Sequence, residues 1–250
     1  MSVDRRAWTS VLLLAVFFVG VGEGTAQPKA VSSPRPGQSG FCTQQQNAGS
    51  LDLRGLALVY CTVPTGVSLG LEAVHLSARP VFYGAVPAAW AGAAVTQEPH
   101  LRAAAYRLTL TQGVTYGLVV GTKHLVGRPR PYVHRPVRAQ AARHQPPAPG
   151  DAYLSFPSGH AALSAALVTS WSASYPRWYV LGPGALWATA VALSRVHLGV
   201  HYPSDILAGT ILGTGVALLV HHLRETITPA PFRGAPEASL RPPLVLRLTF

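Results

Sequence analysis

Apolar residues fall in blocks along this chain rather than alternating with polar ones, and the blocks predict helices. The apolar runs are 81–95, 106–120, 161–171, 178–193 and 206–220. No alternating stretch of any length separates them, so the expected fold class is all-α: a helical bundle. Most runs are shorter than the ~20 residues that a perpendicular bilayer crossing needs. The last reaches nearly that length once Pro203 and Ser204 are counted with it. Two Pro-rich stretches punctuate the pattern, 135–150 between the second and third runs and 228–243 after the last. The chain end, 244–250, alternates like a short strand.

Composition sharpens the picture. Hydrophobic residues make up 48% of the chain and charged ones only 12%, where about 25% charged is ordinary. That depletion favours a bundle embedded in, or associated with, a membrane. The N-terminus reads as an export signal or a retained signal anchor over 1–26. Arg5 and Arg6 form its basic start, 11–21 its apolar centre, and Gly24-Thr25-Ala26 a small-residue cleavage site. Residues 27–50 read as a flexible segment, 51–223 as the helical domain and 224–250 as a tail. An exported chain would hold Cys42 and Cys61 in an oxidising space, where they either pair or remain two separate buried thiols.

The formal charge of +11 does not suggest nucleic acid. Eighteen of the twenty basic residues are Arg, the densest cluster lies in one loop, and no basic stripe interleaved with aromatics is present. A focused anion-binding loop fits better. If the N-terminal segment is retained and 51–77 does not cross, then Arg5, Arg6, Arg102, Arg177 and the tail from Arg224 share one side, as positive-inside topology requires. The loop 123–150 and the turn 197–204 then share the exported side.

Three short segments at the edges of apolar runs carry the chemistry. The first holds Lys123 and Arg130 before Pro131, where Gly127, Pro129 and Pro131 end a helix. Lys and Arg there either flank one anion or simply complement a helix end. The second is Pro157-Ser158-Gly159-His160, with Ser158 as N-cap; amides of Ser158 and Gly159 would cradle a phosphate oxygen. The third is Ser194-Arg195, then His201, then Asp205. Asp205 falls in the first turn opened by Pro203, within reach of the His201 ring. Such a contact fixes the tautomer and leaves the other nitrogen free to attack. Together these supply cations, backbone donors, a nucleophile and an acid, with no call for a metal or other cofactor. His197, His201 and Asp205 also stand at metal-site spacing, but Gly199 and Pro203 interrupt the helix that such a site needs.

These segments resemble the type 2 phosphatidic acid phosphatase superfamily, whose members include bacterial acid phosphatases and vanadium haloperoxidases. Its pattern K-x6-R-P, P-S-G-H and S-R-x5-H-x3-D is met at every position, and the resemblance covers roughly residues 81–222. It implies a helical bundle with the site at one end. It implies His201 as nucleophile, Asp205 as its orienting partner and His160 as general acid, then base toward water. Lys123, Arg130, Arg195 and the Ser158-Gly159 donors would hold the phosphoryl oxygens. Arg128, His124, His197 and Arg138 are extra basic groups near the site, which either bind a second phosphate or, the favoured reading, are solvated. The expected activity is hydrolysis of a phosphate monoester or diphosphate, on a lipid, at an extracytoplasmic membrane face. The alternatives are a soluble periplasmic acid phosphatase of broad specificity, a vanadate-dependent haloperoxidase, and a non-enzymatic membrane protein that binds polyanions.

Overall fold

The computed structural model describes residues 41–42, 49–135, 137 and 150–233. The export signal, most of the 27–50 segment, Arg138 and the alternating chain end lie outside the described residues. Helix α1 (Leu51–Thr62) starts behind Ser50, whose Oγ accepts the Leu53 N–H at 3.3 Å. After Val63-Pro64 the chain turns by 108° into α2 (Thr65–Thr96). Gln97 ends α2 in the left-handed region (φ 53°), bonding back to the Ala93 carbonyl, and Pro99 opens α3 (Pro99–Val126). Gly127 closes α3 at φ 58°, a conformation that glycine adopts at no steric cost. A single turn α4 (Pro131–His134), a 3-10 turn at Asp151–Tyr153, and the helices α5 (Gly159–Ser174), α6 (Trp178–His197) and α7 (Pro203–His222) follow. The short α8 (Arg224–Ile227) and a 3-10 turn at Ala230–Phe232 complete the described chain. No strand occurs among the described residues, and the fold is all-α.

The long helices reverse direction at each connection, so the bundle has two unlike ends. At one end Arg107 donates to Ser174 Oγ (3.2 Å), and Tyr106 OH donates to the Ile227 carbonyl (3.1 Å). Phe232 stacks on Tyr106 with centroids 5.1 Å apart, so the first ten residues of the expected tail fold back onto the bundle. The other end gathers the last turns of α3 and α6 and the first turns of α5 and α7. Helix α1 lies over this end, packing Leu56 and Tyr60 with Phe41, Val137, Val196 and Tyr202. Cys42 and Cys61 are bonded to each other, with Cα atoms 5.8 Å apart, at the edge of that packing.

The closest pair is α5 with α7, and glycine sets its spacing. A Cβ at Gly209 would lie 2.4 Å from the Ser158 carbonyl oxygen, and one at Gly213 only 2.0 Å from that of Ala162. The two backbones therefore touch along a four-residue glycine period. This contact fixes the first turns of both helices relative to each other.

Two local expectations change. The 81–95 run is the second half of a 32-residue helix that begins at Thr65 and continues through Pro80 and Pro87. Glu72, His75 and Arg79 dilute the apolar signal of its first half without breaking the helix. Pro131 does not merely stop a helix but occupies the first position of α4. Large apolar side chains cover the bundle's exterior: Leu186 is 73% exposed, Leu207 and Ile211 63% each. Among the described residues, α7 is long and apolar enough to cross a bilayer, as is the bent α1–α2 pair if taken as one span.

Candidate active site

The site is built where four helix ends meet. His201 sits in the short α6–α7 connection, 2% exposed. That connection cannot continue α6, because Gly199 turns to φ 69° and Pro203 starts α7. His197, His201 and Asp205 thus do not share one helix face. His201 Nδ1 lies 3.5 Å from Asp205 Oδ2, and its Nε2 faces Arg130 Nη1 at 3.5 Å. The ring is held with one nitrogen toward a carboxylate and the other toward a cation. Burial lowers the His201 pKa to about 3; the hydrogen bond to Asp205 works against this, while Arg130, Arg195 and Lys123 add to it. The free ring is therefore neutral, with an available lone pair at ordinary pH.

Asp205 is fully buried and its carboxylate is well supplied with donors. Ser155 Oγ donates to Oδ2 at 2.6 Å and the Tyr202 backbone N–H at 2.8 Å, the latter capping α7 from its third residue. Arg128 donates to Oδ1 at 2.5 Å. Arg128 also donates to Ser204 Oγ (2.7 Å) and to Asp52 Oδ2 of α1 (2.7 Å), and its guanidinium lies 4.3 Å from the Tyr202 ring centre. Asp52 in turn accepts from the Ser204 N–H at 2.9 Å and from its hydroxyl at 2.7 Å. The reading of Arg128 as a solvated extra cation is therefore overturned: it clamps α1 and α7 around the orienting carboxylate. His197 is not in solvent either. It is 5% exposed, with Nε2 2.8 Å from Ser68 Oγ. His124 is exposed, as expected.

The phosphate-binding candidates lie at the same end of the bundle as His201, and Arg130 reaches its ring. Arg130 is 7% exposed and held by Asp151, through Nε to the carbonyl and Nη2 to the carboxylate, both at 2.8 Å. Lys123 Nζ donates to the Leu154 carbonyl. Arg195, in the last turn of α6, is 7% exposed; its Nη1 lies 2.8 Å from His75 Nδ1, and its Nε has no partner among the described residues. Ser158 occupies the N-cap position of α5, but its hydroxyl makes no capping bond and is buried without a partner. Its backbone N–H is already spent on the Asp205 carbonyl at 2.9 Å. The Ser158 hydroxyl and the amides of the next two residues are thus the groups of this turn that suit an anion. His160, one residue into α5, has a buried Nε2 with no partner among the described residues, and its ring lies beside those of His75 (centroids 5.9 Å) and Phe82 (5.6 Å). Three polar atoms from two segments, on Ser158 and His160 at the start of α5 and on Arg195 in α6, are buried and without a hydrogen-bond partner among the described residues. Such atoms cost free energy unless a ligand completes them.

Sequence reasoning missed Ser155, Asp151, Asp52 and His75. Ser155 and Asp151 sit between the first two motifs with no spacing rule to mark them. Asp52 carried one signal, being among only nine acidic residues in the chain. His75 carried another: with Arg79 it forms an i,i+4 pair in an otherwise apolar helix.

Comparison with known proteins adds ancestry to this geometry. The sequence model of the PAP2 superfamily matches residues 104–229. Over 81 residues the chain is 36% identical to an undecaprenyl-diphosphatase of Sulfolobus acidocaldarius, covering 32% of this chain and 37% of the relative. Over 69 residues it is 45% identical to a decaprenylphosphoryl-5-phosphoribose phosphatase of Mycobacterium tuberculosis, covering 27% and 36%. The matched segment spans about a third of the length of these curated relatives. In fold, the chain is similar to LpxE of Aquifex aeolicus (TM-score 0.54, 17% identity, 68% of this chain and 94% of that one). It is also similar to the transmembrane PAP2-type phosphatidylglycerolphosphate phosphatase of Bacillus subtilis (TM-score 0.52, 17% identity, 89% and 99%).

Proposed function

The chain belongs to the PAP2 superfamily, and from that premise we propose that it is a lipid phosphatase working through a phosphohistidine. The observation that carries this reading is the His201 ring: Nδ1 directed at the buried Asp205 carboxylate, Nε2 at the cation cage. With the proton on Nδ1, the Nε2 lone pair attacks phosphorus. The leaving oxygen takes a proton from His160, whose Nε2 is buried and otherwise unsatisfied. Asp205 then balances the charge on the phosphorylated ring. In the second half-reaction neutral His160 accepts a proton from water. The hydroxide attacks phosphorus, and His201 and inorganic phosphate are released. Arg130, Arg195, Lys123 and the first turn of α5 stabilise the charge on the phosphoryl oxygens.

A lipid substrate and a membrane setting rest on the apolar exterior, of which Leu186, Leu207 and Ile211 are examples. Exposed apolar area of that extent is typical of a surface meeting lipid. The relatives named for undecaprenyl and decaprenyl substrates point the same way. An extracytoplasmic active site is supported by the Cys42–Cys61 bond, which lies at the same end of the bundle as His201 and belongs in an oxidising compartment.

The test is phosphate release by purified protein in EDTA from a lipid phosphate and from a soluble aryl phosphate, with His201→Ala alongside. Release that survives EDTA, favours the lipid and vanishes in His201→Ala is expected. Full activity in the variant, or loss with EDTA, would sink the mechanism.

A further inference from the structure

Helix α2 is bonded to α6 at several levels, and one of these bonds ends in the site. Ser68 Oγ lies 2.8 Å from His197 Nε2, and Trp187 Nε1 donates to Ser77 Oγ at 3.0 Å. Between them, His75 Nδ1 lies 2.8 Å from Arg195 Nη1. The partners run backward along α6 as the positions run forward along α2, so the two helices are antiparallel and their register is pinned on either side of His75. The His75 side chain is only 6% exposed. It lies outside residues 104–229, which match the family model, and outside the three sequence motifs.

A guanidinium carries donors and no acceptor, so Arg195 donates and His75 Nδ1 accepts. The His75 ring is therefore neutral, with its proton on Nε2. The other guanidiniums of the site are held differently: Arg130 by the Asp151 carboxylate, Arg128 by those of Asp52 and Asp205. A carboxylate on Arg195 would also fix its direction, but it would compete with a phosphate for the same charge. A neutral imidazole takes one N–H and leaves the charge intact. Arg195 Nε, buried and without a partner among the described residues, is then left for an anion. Holding a long side chain in one pose costs rotamer entropy. A fixed acceptor meets that cost before the ligand arrives, which is preorganisation.

We propose that His75 is a positioning residue for the phosphatase reaction: as a neutral acceptor it aims Arg195 at the phosphoryl group without cancelling its charge. This rests on the phosphohistidine reading above and adds a residue of α2 to its phosphate-binding machinery. The ring contact of His75 with His160, at 5.9 Å between centroids, offers a second route by which a substitution could act, through the acid. Orthovanadate separates the two routes, because it occupies a phosphate site and has no leaving group to protonate.

The experiment uses the full chain in detergent and compares His75→Asn with His75→Gln. The Asn amide branches at Cγ, as Nδ1 does, so it keeps an acceptor toward Arg195. The Gln amide branches one atom further out, where Nε2 lies, and leaves Arg195 Nη1 without its acceptor. Both replacements are polar and close to imidazole in size, so both variants are expected to fold. The measurements are kcat/KM on farnesyl monophosphate and Ki for orthovanadate. In His75→Gln, kcat/KM should fall about 10- to 100-fold and Ki should rise by a similar factor. His75→Asn should recover most of both. Equal losses in the two variants, no loss in His75→Gln, or a fall in kcat/KM with an unchanged Ki would overturn the proposal and leave the phosphohistidine reading standing. Undiminished activity in His201→Ala would overturn both.

Discussion

Gly209→Ala replaces a hydrogen on α7 with a methyl that meets backbone rather than a flexible side chain. The new Cβ would lie 2.4 Å from the Ser158 carbonyl oxygen and 3.3 Å from the Ala162 nitrogen, where real Cβ atoms essentially never come within 3.0 Å. The first turn of α5 must therefore retreat by at least about 0.6 Å (3.0 minus 2.4). Ser158 is tied to the Asp205 carbonyl at 2.9 Å and leads directly into Gly159 and His160. The retreat thus separates the acid and the anion-binding turn from His201 and Asp205. Overpacking of this kind costs about 1–3 kcal/mol, and displacements near 1 Å cost on the order of 100-fold in rate. We expect kcat on a lipid phosphate to fall about 10- to 100-fold, with a smaller change in KM and a lower Tm in detergent. Gly215→Ala on the same helix, where a Cβ meets nothing within 4 Å, should keep wild-type kcat and Tm. Wild-type kcat in Gly209→Ala would refute the claim that this glycine contact sets the distance between His160 and His201.

Two further outcomes follow from the site. Arg128→Ala removes the donors to Asp205, Ser204 and Asp52 at once, so kcat should drop about 10- to 100-fold. Asp52→Asn should cost less, because Arg128 keeps its bond to Asp205; equal losses in the two would contradict the clamp. The low His201 pKa also has a consequence for stability. The ring ionises near 6.5 when unfolded and near 3 when folded, so the unfolded chain binds the extra proton between those values. Its contribution is fully present above pH 6.5 and is lost as pH falls toward 3. Tm measured against pH should therefore decline less steeply over that window in His201→Asn than in wild type; parallel curves would count against a buried neutral His201.

The site was legible in the sequence to the extent that its chemistry sits in short segments at helix ends. Lys123, Arg130, His160, Arg195, His201 and Asp205 each lie within four residues of a Gly, Pro or Ser at a helix end, and those breaks put them at one end of the bundle. What the sequence hid depends on distance along the chain. Asp52 is 76 residues from Arg128 and 152 from Ser204, yet bonds to both. No periodicity encodes that contact, because it follows from the 108° turn that lays α1 over the site. The first half of α2 was hidden for a different reason. Its Glu72, His75 and Arg79 lower the apolar signal by which a helix was sought, and His75 among them lies beside His160. Similarly, Arg128 looked like one more solvated Arg because its partners come from α1 and α7.

The distribution of partners among the basic residues explains how the site can bind a dianion while remaining packed. Arg130 is matched by Asp151, and Arg128 by both Asp52 and Asp205. Both are largely neutralised: Arg128 holds the Asp205 carboxylate in place, while Asp151 holds Arg130 with its Nη1 toward His201 Nε2. Lys123 and Arg195 have neutral partners instead, a backbone carbonyl and the His75 ring. The uncompensated positive charge therefore rests on Lys123 and Arg195, at the same end of the bundle as His201. A buried cation without a counter-ion is costly, and here a phosphate would offset that cost on binding. Burial, with the charges of Arg130, Arg195 and Lys123 adding to it, keeps the free His201 ring unprotonated. Under the proposed mechanism, the cations with neutral partners are therefore those with most to gain from a bound phosphate.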